Sequence, residues 1–259
     1  MIRNDNANSV LMNIGDTFHG GVEAFYSLGN DIVAPVNALG IDIGVPGNWD
    51  FAYGPNVTRA RYTNGNSPAP TPIAITQTTF PNLAANVTNT GPLFPAGTLL
   101  PATFTKTVAG VKIGFIGITS DMVPYMSPLL AAGMTFLQGE TNYVNLINGL
   151  VIELNSQVPA PDIVVVMSEL GIHKDQRLAD LITPNTVDVF FSAHTHELTT
   201  SPLQSTSGAL VVEAGNDTYL GRMDVTVLAN TPHTYSWRVI PIEETILEDV
   251  AMKALIDSA

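Results

Sequence analysis

The chain has 259 residues, of which 45% are hydrophobic and only 13% are charged, a balance typical of a folded globular protein rather than a disordered one. Its 10 basic and 23 acidic residues give a formal net charge of -13, which argues against non-specific binding to nucleic acid or to an anionic membrane surface. The absence of cysteine excludes disulfides, thiol chemistry and cysteine-based zinc sites. No apolar run reaches the roughly 20 residues that a membrane-spanning helix needs.

The first third of the chain predicts apolar strands that end in glycine-flanked polar residues. The predicted elements are a strand over 9–14 before Gly15-Asp16, a helix over about 22–39 interrupted by Gly29 and Pro35, a strand over 41–45 before Gly47-Asn48, and a strand over 83–87. Residues 55–72 are rich in Asn, Pro, Thr and Gly and are predicted to form a loop, in which Arg59 and Arg61 are interpreted as surface arginines. Glycine beside each polar residue allows the sharp turn that a strand end requires.

The remaining two thirds alternate between strands and helices. The predicted elements are a hairpin over 104–108 and 111–118, a helix over 142–154, a strand over 162–167, a helix over 174–181, strands over 187–191, 210–214, 222–228 and 235–240, and a closing helix over about 247–256. Strands that alternate with helices, with hairpins added, predict an α/β protein built as a layered sandwich. We expect one domain over residues 1–259.

Residues able to bind a metal follow four separate predicted strands. They are Asp16, Asn48, Glu169 and the pair His194 and His196. Ligands in open α/β sheets bind beyond the carboxyl ends of the strands, so these side chains are expected to act together in binding metal. Oxygen and nitrogen donors suit ions such as Mn, Fe or Zn, and in a two-metal site Asp16 is the natural bridging carboxylate.

Several ordered motifs resemble the calcineurin-like metallophosphoesterase superfamily and, within it, the catalytic domain of the 5′-nucleotidase family. They are Gly15-Asp16, Gly47-Asn48, Phe80–Asn86, Gly110–Ile118, Ala193–His196, Val212–Asn216 and Leu220–Asp224. The resemblance implies an α/β/β/α sandwich and one or two divalent ions (Mn, Zn, Fe or Co) that activate a hydroxide to hydrolyse phosphate esters over a broad substrate range. It also implies that Asp16 bridges two metals, that Asn48 and His194 bind one of them, and that His196 binds the other.

The sequence departs from the family pattern at several positions. No Asp-x-His motif is present, so we expect the family's first strand to be missing, and we expect the separate C-terminal nucleotide-binding domain of that family to be missing too. Trp49 stands where the family has a histidine that donates a proton, and an indole cannot do so at neutral pH, which leaves Asp50 or His19 as candidates. Glu169 stands where the family has a histidine ligand, with His173 as the competing candidate.

Three functions remain open at this stage. The first is a metallophosphoesterase that acts on a small phosphorylated substrate, without binding nucleic acid non-specifically or binding membranes. The second is a hydrolase similar to the thiosulfohydrolases of bacterial sulfur oxidation, a resemblance that the tryptophan at position 49 suggests. The third is a non-catalytic binding domain. The family resemblance implies a periplasmic or extracellular protein, although the polar residues 1–6 do not predict a signal peptide. The strand edge that the missing first strand would expose predicts a homodimer.

Overall fold

A computed structural model describes residues 6–63, 71–90, 96–228 and 233–258. It has a mixed α/β fold, which confirms the predicted fold class. The chain divides into two compact units. Unit 1 comprises Met1–Ser9, Thr103–Ile116 and Glu140–Ile246, and unit 2 comprises Val10–Ala102, Gly117–Gly139 and Leu247–Ala259. That the whole chain acts as one domain stays a prediction.

Strands and helices alternate along most of the chain. The helices are α1 (Val22–Tyr26), α2 (Asn30–Ala38), α3 (Pro55–Tyr62), α4 (Val123–Met126), α5 (Glu140–Asn155), α6 (Ile172–Leu181) and α7 (Val250–Asp257). The strands are β1 (Met12–Ile14), β2 (Ile43–Val45), β3 (Val87–Asn89), β4 (Gly97–Thr98), β5 (Thr103–Val108), β6 (Val111–Ile118), β7 (Met134–Phe136), β8 (Ile163–Ser168), β9 (Val189–Ser192), β10 (Leu203–Gln204), β11 (Leu210–Glu213), β12 (Tyr219–Thr226) and β13 (Thr234–Pro241). Within the described ranges, no helix combines the length and the apolar character needed to cross a membrane.

Unit 2 contains β1 and β2 as a parallel pair. Met12 lies opposite Ile43 and Ile14 opposite Val45, so both strands end at the same edge of their small sheet. A separate sheet pairs β3 antiparallel with both β4 and β7. The apolar core of unit 2 is drawn from helices, strands and loops, and includes Phe18, Val33, Phe51, Phe80, Ala84, Val87, Val123 and Phe136. The parallel pairing therefore brings the loops that follow β1 and β2 to one edge.

The helix predicted over 22–39 is two helices, α1 and α2. The chain turns between them at Leu28 and Gly29, which have φ angles of 55° and 80°. Pro35, which was expected to interrupt the helix, lies within α2. The break is therefore made by left-handed backbone at residues 28 and 29 rather than by proline.

The prediction of a loop over 55–72 is wrong at its start, where α3 forms, and Arg59 and Arg61 are buried rather than on the surface. The Arg61 guanidinium donates to Leu28 O at 2.7 Å and to Asn30 Oδ1 at 3.0 Å. It also lies over the Phe18 ring, 5.0 Å from the ring centroid. Burial lowers the pKa of Arg59 to about 10. The Arg59 guanidinium donates to Gly133 O at 2.9 Å. Both arginines are therefore structural, since their charges are stabilised by hydrogen bonds inside unit 2.

Unit 1 is built on a six-stranded sheet with the strand order β10-β11-β9-β8-β6-β5. Strands β8, β9 and β11 are parallel, and the antiparallel hairpin β5–β6 forms at the predicted position. Every residue of β8 is buried. Helix α5 buries a stripe of residues at helical spacing, which consists of Tyr143, Ile147, Leu150, Val151 and Leu154. Because β8, β9 and β11 pair in parallel, their carboxyl ends lie side by side within unit 1.

Candidate active site

Asp16 and Asn48 follow the two parallel strands of unit 2. Asp16 has a φ angle of 54°, and its Oδ1 accepts a hydrogen bond of 2.9 Å from the backbone N of Trp49. A Cβ atom added at Gly47 would lie 2.3 Å from that same Oδ1 and 2.4 Å from the backbone N of Asp16. Glycine at position 47 thus allows the backbones of the two loops to approach closely. Asn48 is buried, and its Nδ2 contacts Met126 Sδ at 3.3 Å, which orients the amide.

Asp50 ties the same two loops together. Its Oδ1 accepts from the backbone N of Thr17 and of Phe18, each at 3.0 Å, and its Oδ2 accepts from Gly47 N at 2.8 Å. The side chain is only 3% exposed. Burial, followed by the negative charge of Asp50, raises the pKa of the neighbouring Tyr62 well above its ordinary value. These contacts favour a role for Asp50 in holding the loops, whereas its role as a proton donor stays a prediction.

His19 and Trp49 stack in unit 2. Their ring centroids are 5.4 Å apart and their planes are inclined by 26°. The indole is 48% exposed, so it is accessible to solvent at the position where the resembled family has a histidine. The imidazole of His19 therefore lies directly beside that position, which is consistent with the prediction that His19 transfers a proton but does not test it.

Glu169 and His194 meet in unit 1. Ser168 and Ser192, the last residues of β8 and β9, are register partners, and the candidate ligands follow within two residues of each strand end. Glu169 is 1% exposed, and its Oε1 lies 3.1 Å from Nδ1 of His194. A buried carboxylate beside an imidazole is a donor set that fits a divalent cation such as Mn, Fe or Zn.

The two histidines of the motif have different surroundings. His194 contacts Glu169, whereas His196 is exposed. Their φ angles are 86° and 55°, in the left-handed region that costs a non-glycine residue about 1–2 kcal/mol. Such strain is typical of functional sites. The competing candidate His173 is exposed on α6, so the structure places Glu169, not His173, against His194.

Sequence reasoning missed Asp175, which is fully buried beneath the strand ends of unit 1. Its pKa is raised to about 7, chiefly by burial and also by the negative charge of Glu213, although hydrogen bonds from Ser192 and Ser168 act to lower it. A signal was available, because Asp175 occupies the buried face of α6 together with Ile172, Leu178 and Ala179. An acidic residue at an apolar position of an amphipathic helix indicates a buried polar partner.

Comparisons with known proteins support the family resemblance. No family model matches the chain. Rat 5′-nucleotidase is 26% identical over 202 residues, which are 75% of this chain and 30% of that protein. The uncharacterized metallophosphoesterase YunD of Bacillus subtilis is 32% identical over 119 residues, which are 46% of this chain and 23% of that protein. The chain therefore spans less than a third of either curated relative.

Solved structures share the fold across almost the whole chain. The sulfate thiohydrolase SoxB of Thermus thermophilus superimposes with a TM-score of 0.80 at 20% identity, over 99% of this chain and 44% of that one. A 5′-nucleotidase precursor from the same organism superimposes with a TM-score of 0.78 at 21% identity, over 97% and 49% of the two chains. The chain therefore shares the fold of SoxB and of the 5′-nucleotidase precursor, and its curated relatives are a nucleotidase and a metallophosphoesterase.

Proposed function

We propose that the protein is a metal-dependent hydrolase of phosphate esters. The observation that carries this proposal is the buried Glu169 carboxylate beside His194, at adjacent ends of parallel strands, in a chain whose curated relatives are a nucleotidase and a metallophosphoesterase. A pair of this kind without a cation is costly to bury, whereas a bound cation compensates the carboxylate. The substrates proposed are small phosphorylated molecules, with nucleoside 5′-monophosphates among them.

The proposed ligands are the five residues that the sequence singled out. They are Asp16, Asn48, Glu169, His194 and His196. One or two ions of Mn, Zn, Fe or Co would neutralise charge on the phosphoryl group and lower the pKa of a water molecule. The net charge of -13 makes such cations the natural means of attracting an anionic phosphate ester.

Hydrolysis of a panel of phosphate esters tests this proposal. Protein stripped with a chelator is assayed for phosphate release before and after addition of Mn, Co or Zn. We expect turnover only with metal, and we expect Asp16→Asn to lose most of it. Absence of turnover in metal-loaded wild-type protein, on every substrate of the panel, would refute the proposed function.

We further propose that His19 protonates the leaving group, because its ring stacks on Trp49. General acid catalysis typically contributes about 10²–10⁴-fold to a rate, and it matters most for a poor leaving group. His19→Gln should therefore lower kcat strongly for phenyl phosphate and much less for nitrophenyl phosphate. The matched control is His173→Gln, an exposed histidine of α6. An equal loss on both substrates would contradict the role of His19 and return Asp50 to consideration.

Trp49 and the similarity to SoxB favour a second candidate, hydrolysis that releases sulfate from a sulfur-conjugated carrier. Hydrolysis of an S-sulfonate (R–S–SO3⁻) to a thiol and sulfate, without release of phosphate from phosphate esters, would support it over the phosphoesterase. A non-catalytic binding domain is the third candidate. Metal-free protein that gains no metal on titration and shows neither activity would favour that reading.

We also propose a compartment and an assembly. One structural neighbour is named a precursor, and a cysteine-free chain is compatible with export to the periplasm or the extracellular space.

Strand β1 is at the edge of its sheet within the described residues, and a free edge can pair with a second copy. Light scattering at micromolar concentration should give the mass of a homodimer, and a monomer would contradict this assembly.

A further inference from the structure

Three parallel strands of unit 1 end at the same level in polar residues. Ser168 of β8 lies opposite Ser192 of β9, which lies opposite Glu213 of β11. The three residues are 0%, 5% and 2% exposed, although the strands that carry them are otherwise apolar. Buried polar groups are stable only when they are hydrogen-bonded, so the partners of this row show what it does.

Asp175 of α6 joins the first two members of the row. Its Oδ1 accepts from Ser168 Oγ at 2.7 Å, and its Oδ2 accepts from Ser192 Oγ at 2.5 Å. Ser168 directly precedes Glu169, and Ser192 precedes His194 by two residues. One carboxylate therefore fixes the distance between the two chain segments that carry Glu169 and His194.

Glu213 joins the third strand to the histidine motif. Its Oε2 accepts from Thr195 Oγ1 at 2.7 Å, and the same hydroxyl accepts from the backbone N of Ile172 at 3.2 Å. Thr195 lies between His194 and His196, which both have left-handed backbone. Glu213 also holds the far end of the loop, since its backbone O accepts from Thr199 N at 3.1 Å. The strained backbone of the histidine motif is thus anchored on both sides.

We propose that Asp175 and Glu213 are positioning residues that hold Glu169, His194 and His196 in the geometry needed to bind metal. This inference rests on the proposed function, in which Glu169, His194 and His196 bind a metal. Asp175 sets the spacing of the buried carboxylate and imidazole, and Glu213, through Thr195, sets the direction of the two histidines. Outer groups that orient metal ligands commonly change metal affinity by about 10–100-fold when they are removed.

The first experiment is made on metal-free protein, so that it does not depend on the proposed function. The ring of His194 is observed by ¹⁵N–¹H NMR and assigned with His194→Gln. Asp175→Ala is compared with Asp188→Ala, a matched control. Asp188 is also a bridging carboxylate, since it accepts from Val164 N at 2.8 Å and from Tyr235 Oη at 2.7 Å, but it directly precedes β9 and lies at the opposite end of the strands.

We expect the His194 ring resonances to move or broaden in Asp175→Ala and to stay unchanged in Asp188→Ala. If Asp175→Ala fails to fold, Ser192→Ala is used in its place, because it removes one of the two hydrogen bonds that Asp175 accepts. Unchanged resonances in the Asp175 or Ser192 variant, or an equal change in the Asp188 variant, would overturn the proposal.

The second experiment measures Mn²⁺ affinity by isothermal titration calorimetry. Asp175→Ala and Glu213→Leu should each weaken binding about tenfold or more, whereas Glu213→Gln, which keeps an acceptor for Thr195, should restore most of the affinity. Asp188→Ala should bind within about twofold of wild type. If Asp175→Ala and Glu213→Leu bind Mn²⁺ as wild type does, the positioning role is refuted. If wild-type protein binds no Mn²⁺, it is the proposed function that fails, and the NMR result decides the positioning role alone.

Discussion

Replacing Asp175 with asparagine should change how the stability of the protein depends on pH. The side chain is fully buried, and its pKa in the folded protein is about 7, against the ordinary value of 3.8. The folded state therefore keeps a proton between these two pH values that the unfolded state has released. Stability from this group is fully present below the lower value and is lost as pH rises through the upper one.

The size of the effect follows from the difference between the two pKa values. About three pH units, at 1.36 kcal/mol each, correspond to a loss of ~4 kcal/mol as pH rises from 4 to 8. Asparagine has nearly the same shape, keeps one acceptor and one donor for the two serines, and does not titrate. All other titrating groups are shared, so their contribution cancels when the variant is subtracted from the wild type.

Urea unfolding followed by circular dichroism, with a chelator present, measures the free energy of unfolding of both proteins at several pH values between 4 and 8. Wild type should lose ~4 kcal/mol more than Asp175→Asn over this range. Adding Glu213→Gln to the wild type should reduce the loss, because the charge that helps to raise the pKa of Asp175 is removed. Parallel curves for wild type and Asp175→Asn would contradict a raised pKa for the Asp175 carboxyl in the folded protein.

Two further predictions concern unit 2. Gly47→Ala places a methyl group 2.3 Å from Asp16 Oδ1, so the free energy of unfolding should fall by about 1–3 kcal/mol, and metal-dependent activity should fall with it. The control Gly149→Ala, at an open helical position, should stabilise the protein by ~1 kcal/mol in the same urea assay. Arg61→Met should cost about 3 kcal/mol or more in thermal or urea unfolding, because buried acceptors lose a charged donor. The control Arg177→Met removes an arginine whose side chain is 71% exposed and should cost less than about 1 kcal/mol, and an equal cost for both would contradict a structural role for Arg61.

The regular elements were predictable where hydropathy and burial agree. The hairpin β5–β6 and the buried strand β8 lie where the sequence indicated. Helix α3 was missed because its buried face includes Thr58, Arg59 and Arg61, which hydropathy assigns to the surface. The segment expected to be a strand over 83–87 is instead tied to three different segments, since the N–H groups of residues 83, 84 and 85 donate to the carbonyls of residues 44, 101 and 117. No local pattern encodes such divided pairing.

The sequence could single out the candidate ligands because a motif at a strand end is a local feature of the sequence. It could not single out the residues that hold them, because their partners are far away along the chain. Asp50 bonds to residues 32 and 33 positions earlier, and Asp175 bonds to Ser192 17 positions later. These contacts exist only after the strands have aligned in register. A carboxylate that supports a loop and one that binds a metal are therefore indistinguishable until the fold is known.

Metal content measured together with turnover is the decisive test of the proposal that this chain is a metal-dependent phosphoesterase. Protein purified without chelator is analysed by mass spectrometry for Mn, Fe, Co and Zn, and the same sample is assayed with a nucleoside 5′-monophosphate. We expect one or two ions per chain, and phosphate release that a chelator abolishes and added metal restores. Protein that contains no metal, gains none on titration and releases no phosphate would contradict the proposal.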